Sequence, residues 1–111
     1  MDKYIENTIL HGEWIEKGDY KKANQAFNDI LINFNILKKE NSSLENLVPL
    51  LNNKNNSVRY WTAFFLLRSK EILAVKTLED ISDKKGIVAF SARTTLKEWK
   101  NKSLSFDFLS K

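Results

Sequence analysis

Two stretches of the chain superpose at a constant offset of thirty residues. Val58 meets Val88, Tyr60 meets Phe90, Thr62 meets Ala92 and Leu66 meets Leu96. Each stretch follows a shorter apolar run, centred on Leu47 to Leu51 in one case and on Val75 to Ile81 in the other. Within these runs apolar residues recur mainly at intervals of three and four, which defines one face of an α-helix, not the alternation of a strand. A helical hairpin with one apolar face cannot shield it alone, and copies at a fixed period do so by stacking. The pattern therefore predicts an all-α fold, an α–α superhelix of about three hairpins. At 111 residues the chain is one domain, 1–111, large enough to bury a core without metal or disulfide staples.

The boundaries follow from local chemistry. Ile5, Ile9 and Trp14–Ile15 mark a first helix, and Gly18-Asp19 reads as its end followed by the N-cap of the next. Tyr20, Ala23, Phe27, Ile30, Phe34 and Leu37 then form one face of a long helix, which makes residues 3–40 an N-terminal hairpin. Ser42 and Glu45 have capping-box spacing ahead of Leu44, Leu47, Val48 and Leu51. Pro49 either delays or kinks that helix, because it has no amide hydrogen and crowds the preceding turn. The polar run from Asn52 to Ser57 is a turn, and the helix after it is apolar around most of its circumference and should be the most buried. Ile72, Val75, Leu78 and Ile81 mark a fifth helix, closed by Lys84-Lys85-Gly86 with the glycine as a left-handed cap. Val88, Ala92, Leu96 and Trp99 mark a sixth. The repeats thus span about 43–68 and 70–101, and the tail 102–111, with Leu104, Phe106 and Phe108 alternating, is expected to fold back over exposed apolar surface.

Leu47-Val48-Pro49-Leu50-Leu51, a polar turn, then Val58-Arg59 with Ala63 and Leu66–Leu67 resembles a HEAT repeat. The stretches Ser57–Ala63 and Phe90–Trp99 look more narrowly like a small uncharacterised bacterial family of single-domain proteins. The resemblance covers the second half well and the first hairpin in outline. It implies a HEAT/ARM-like superhelix and brings no activity with it. The second repeat departs from the pattern, with Ala89 where the arginine would fall and Arg93 one turn later.

Catalytic patterns are missing from the sequence. Cysteine is absent and His11 is the single histidine, lying in a register that predicts an ordinary exposed side chain. Gly12, Gly18 and Gly86 are isolated, so no phosphate-cradling loop is written into the chain. The carboxylate pairs Glu13/Glu16 and Glu79/Asp83 share helix faces, where solvated surfaces are far commoner than metal or acid–base sites. We expect no enzyme activity, no metal and no cofactor. The N-terminus lacks the basic and apolar regions of a secretory signal, and no run is long enough to span a membrane, so a cytoplasmic protein is expected. Abundant Asn, Lys and Ile suit an A/T-rich bacterial genome.

Charge is uneven. Up to Asn55 there are seven Lys and Arg against eight Asp and Glu; from Asn56 onward there are eleven against six. Arg59, Arg93, Lys97 and Trp99 are the candidate binding residues. Each arginine either forks onto a carboxylate or helix-end carbonyl to lock one hairpin to another, or grips an acidic group of a partner or a phosphate. Trp61 reads as core and Trp99, near the end of the stack, as the better interface residue. Three functions follow. The first is a protein-interaction module with another protein as partner, in its narrowest form an immunity or antitoxin-like protein covering an active site. The second is a nucleic-acid binder using Arg59, Lys70, Arg93, Lys97 and Lys100. The third is a self-associating structural protein whose tail, Leu104 to Leu109, packs on a second copy.

Overall fold

The computed structural model describes residues 1–106, and these fold into helices without strands. The elements are α1 (Asp2–Glu16), α2 (Tyr20–Glu40), a 3-10 helix (Glu45–Asn52), α3 (Asn56–Leu66), α4 (Glu71–Ser82) and α5 (Ile87–Lys100). The radius of gyration, 13.0 Å, is that of a globular domain of this length. Consecutive elements pack against each other: α1 on α2, the 3-10 helix on α3, α3 on α4, and α4 on α5. Helix α3 lies at the centre, touching α1 and α5 as well as its chain neighbours. Its residues Ser57, Val58 and Trp61 to Leu66 are buried, as the sequence predicts for this element.

The turn between α1 and α2 forms as expected. Gly18 takes a left-handed φ of 77°, the Asp19 N–H donates to the Trp14 carbonyl, and the Asp19 side chain accepts from the Lys22 N–H. That is a Schellman end running directly into an N-cap. Lys17 and Lys22 cover the Trp14 ring at 5.0 and 4.3 Å from its centroid, holding the turn closed.

Three local expectations need correction. The capping box of Ser42 and Glu45 does not form: the Asn41 side chain instead accepts from the Ser43 N–H and hydroxyl, and Glu45 pairs with Lys70. The segment then runs as a 3-10 helix, since Pro49 inside it has no N–H to give and its ring would clash with an α-helical turn. Leu44 enters it at φ 59°, a left-handed conformation costing about 1 kcal/mol or more for a non-glycine, while its side chain is buried in the core. Gly86 does have a positive φ, 102°, yet it opens α5 instead of closing α4. The cap of α4 is Asp83.

The buried face of α1 is the largest surprise. Tyr4, Thr8 and Gly12 face inward, while Ile5, Ile9 and Ile15 are only half-buried. The stripe is small and hydroxylated because α1 crosses the start of α3 at close range. The Ser57 hydroxyl donates to the Thr8 carbonyl at 2.6 Å, the Thr8 hydroxyl donates to the Ile5 carbonyl at 2.8 Å, and the Tyr4 and Thr62 hydroxyls are 3.0 Å apart. No buried side-chain polar atom among the described residues lacks a partner. A Cβ on Gly12 would lie 2.6 Å from the Ser57 Cβ, so only glycine permits this approach. Beside this seam stands an aromatic stack, with Phe34 parallel to Phe65 at 4.0 Å and Phe27 tilted on Trp61 at 5.3 Å.

The thirty-residue offset is legible in burial at its inner positions. Thr62, Leu66 and Ala92 are fully buried and Leu96 nearly so, and Val58 is buried where Val88 is half-buried. Elsewhere the faces differ from expectation: Tyr20, Ile72 and Phe90 are exposed. Helix α1 also reaches α5, where the Glu16 carboxylate accepts from the Ile87 N–H at 3.0 Å and so caps the last helix.

Candidate functional site

The four candidate residues fall in different surroundings. Arg59, on α3, is spent on the fold: Nε donates to the Leu51 carbonyl at 2.9 Å, Nη1 to Asn56 Oδ1 at 3.1 Å and Nη2 to Asp80 Oδ2 at 3.2 Å. Its side chain is only 15 % exposed. One guanidinium thereby ties the 3-10 helix and α4 to α3, the locking role of the two weighed for it. Arg93 makes a comparable bond, Nη1 donating to the Ser82 carbonyl at 2.7 Å, but the residue is otherwise exposed. Both arginines thus reach the carboxyl end of the element that precedes their own helix. Relative to the thirty-residue offset Arg93 sits four residues late, about one helical turn, which keeps it on the equivalent face.

Lys97 and Trp99 lie further along α5. Arg93, Lys97 and Lys100 are spaced four and three residues apart, on one face of the helix, and line a shallow depression of about 380 Å³ with Leu96 and Asn101. Lys100 is shared with a larger cleft of about 670 Å³ between the start of α4, the end of α5 and the segment after it. Val75, Trp99, Leu104 and Phe106 line its apolar part; Arg68, Lys100 and Lys102 supply cations, and Glu71 supplies a carboxylate.

The cleft is built by a chain reversal. Lys102 takes a left-handed φ of 59°, its N–H donates to the Trp99 carbonyl at 3.1 Å, and the Ser103 N–H donates to the Glu98 carbonyl at 2.9 Å. The chain then returns over α5 and buries Phe106 against Phe64 at 5.4 Å and edge-on to Trp99 at 6.1 Å. The expected return of the tail over apolar surface is thus seen for Leu104 and Phe106; Phe108 and Leu109 lie outside the described residues. The Arg68 guanidinium stacks 4.5 Å above the Phe106 ring. Glu71 Oε2 accepts from the Trp99 indole N–H at 2.8 Å, which fixes the ring across the cleft. Among the described residues the ion pairs are Arg59–Asp80 and Lys70–Glu45, so neither Lys97, Lys100, Lys102 nor Arg68 has a salt-bridge partner there.

No family model, curated protein or solved structure matches the chain.

His11 is not the exposed side chain its register suggests. It is half-buried at the α1–α3 seam, where it stands edge-on to Trp61 at 5.1 Å and its Nδ1 accepts from the Trp61 indole N–H at 3.4 Å. Burial holds its pKa below the ordinary imidazole value. The adjoining cavity of about 220 Å³ is also lined by Ser57 and Ser91, but no carboxylate among the described residues borders it to orient the imidazole, and the Ser57 hydroxyl is committed to Thr8. Among the described residues no three acidic, His or Cys side chains gather to hold a metal, and no helix is long and apolar enough to cross a membrane.

The sequence pointed to α5 through Arg93, Lys97 and Trp99 and missed the other walls of the cleft. Arg68, Glu71 and Lys102 carry no motif, and Val75 reads only as part of an apolar helix face. Glu71 and Val75 meet Trp99 through the packing of α4 on α5, Arg68 through its stack on Phe106, and Lys102 through the chain reversal. The alternation of Leu104 and Phe106 was the one available signal for that wall.

Proposed function

We propose that the chain is a non-catalytic protein-interaction module, a HEAT-like stack of about three hairpins whose docking surface is the cleft between α4, α5 and residues 102–106. One observation carries the reading: an apolar, aromatic cleft with cations around it, held in shape by Glu71, Trp99 and Phe106. Aromatic rings and arginine beside a ring of polar groups are the usual composition of a binding hot spot. Support for the HEAT-like assignment comes from Arg59 and Arg93, each bonded to the last carbonyls of the preceding element. In its narrowest form the module acts as an immunity or antitoxin-like protein and covers the working site of its partner.

The test is a tagged pull-down at moderate salt from the native cell, run beside a Lys97→Glu/Lys100→Glu variant with an unchanged helical circular-dichroism spectrum. A partner that is enriched by the wild type, lost by the variant and re-bound when purified supports the reading. A variant that captures the same proteins equally well overturns it.

Nucleic-acid binding keeps one favourable observation, the row Arg93, Lys97 and Lys100 on a single helix face. Two of its proposed contacts are already occupied, Arg59 by Asp80 and Lys70 by Glu45. If this second reading holds, affinity for an oligonucleotide falls steeply as salt rises. Self-association through the tail would have to do without Phe106, which is buried in its own chain.

A further inference from the structure

We infer that the cleft takes an acidic segment of a partner protein and anchors it by one bulky apolar side chain. The inference rests on the cleft being the docking surface, and adds what kind of segment fits it.

Charge complementarity sets the first requirement. Arg68, Lys100 and Lys102 border the cleft, and Lys97 and Arg93 continue the positive field along α5 through the depression that shares Lys100. Seven residues of α-helix advance about 10 Å, so Arg93 to Lys100 presents cations over a length that matches two helical turns, or about three extended residues, of a bound segment. Glu71, the carboxylate that lines the cleft among the described residues, is turned onto the Trp99 indole N–H. A segment bearing several carboxylates is attracted to this field and oriented by it, whereas a basic one is repelled.

The apolar part sets the second requirement. Val75 and Leu104 are half-buried aliphatic surface with no hydrogen-bonding group to offer, Phe106 adds only the small area its burial leaves open, and the polar atom of Trp99 is already used. Phosphates gain nothing from such a floor, and the Phe106 ring on which a base could stack already carries the Arg68 guanidinium on its face, while a Phe, Leu or Ile side chain is removed from water there. A volume of about 670 Å³ accommodates such a side chain with its flanking backbone. Next to Glu71, one turn before Val75, Ile72 is 85 % exposed and extends the apolar surface beyond the cleft. The combination of a greasy floor and a cationic border favours an acidic peptide over a nucleic acid.

Probes for the test are a synthetic peptide of Glu and Asp around a central Phe, its central Ala counterpart, its counterpart with Lys for every acid, and an oligomer of deoxythymidine. The readouts are the indole ¹H–¹⁵N signal of Trp99, identified with Trp99→Phe, and the dissociation constant at low salt. The expected result is that the acidic Phe peptide shifts the Trp99 signal, the Ala peptide binds about tenfold or more weakly, and the Lys peptide does not bind. Lys97→Glu/Lys100→Glu should weaken the acidic Phe peptide by at least as much. Equal binding of the Phe and Ala peptides, or shifts at Trp14 and Trp61 in place of Trp99, would overturn the anchor. If no peptide binds while the purified cellular partner is still lost on Lys97→Glu/Lys100→Glu, the chemistry assigned to the segment is wrong and the docking surface stands. If the deoxythymidine oligomer alone shifts Trp99, the protein-binding reading itself fails.

Discussion

Replacing Gly12 by Ala separates two opposite expectations. Gly12 lies inside α1, four residues from its end, where alanine is favoured over glycine by about 1 kcal/mol on helix propensity alone. The structure demands the reverse sign. The new Cβ would sit 2.6 Å from the Ser57 Cβ and 2.8 Å from its Oγ, where carbon atoms normally approach to about 3.5 to 4.0 Å. The Ser57 Cβ is fixed by the backbone of α3, so relief requires the two helices to part by about 1 Å. Overpacking of this kind costs about 1 to 3 kcal/mol, and loss of the Ser57–Thr8 hydrogen bond adds about 1 kcal/mol. After the gain in propensity, Gly12→Ala should destabilise the fold by about 1 to 3 kcal/mol. That corresponds to a fall in Tm of roughly 4 °C per kcal/mol for a domain of this size. Urea and thermal unfolding followed at 222 nm would measure it, with Gly12→Ala/Ser57→Gly as the companion. In the companion the obstructing atoms are gone, so it should be more stable than the sum of the two single changes implies. A Gly12→Ala protein as stable as the wild type, or more so, would refute the close crossing of α1 on α3.

Other perturbations test the remaining contacts. His11 is held below its ordinary pKa by burial, so its contribution to stability is complete above the unfolded value near 6.5 and is lost as pH falls toward and through the folded value. The loss of stability on acidification below about pH 6.5 should therefore be shallower in His11→Gln than in the wild type; parallel curves would show that the imidazole is not buried. Arg59→Met should cost about 2 kcal/mol in urea unfolding, because it leaves the Leu51 carbonyl and Asn56 without their donor, whereas Asp80→Asn, at an exposed carboxylate, should cost less than about 1 kcal/mol. Tyr4→Phe should cost about 1 kcal/mol by leaving the Thr62 hydroxyl unpaired in the core, and Tyr4→Phe/Thr62→Val less than the two single changes added together.

Helices were readable wherever burial is driven by large apolar side chains. Ile30, Phe34 and Leu37 on α2, and the crowded face of α3, announced themselves by spacing. The inward face of α1 did not, because Tyr4, Thr8 and Gly12 look polar or featureless until a second helix stands close enough to use their hydroxyls and the missing Cβ. Pro49 was recognised as a disturbance, but whether it kinks a helix or turns it into a 3-10 segment depends on Leu44 and Asn41, whose conformations no periodicity encodes. The site shows the same division. Arg93, Lys97 and Trp99 share a helix and could be grouped from their numbers, while Arg68 and Glu71 join them only through tertiary packing. Arg59 fitted either role on sequence, and three acceptors from three elements decided its place.

The bond from Glu16 to Ile87 spans 71 positions along the chain. In a linear array, units can be added or removed with little effect on distant neighbours, since each communicates only with the next. Here the opening helix grips the amino end of the closing one, so splicing in an extra pair of helices would pull that grip apart. Evolutionary growth by duplication is correspondingly obstructed, and α1 and α5 should unfold together. Final consolidation of α1 against α5 must also wait until the ribosome has released the residues around Ile87.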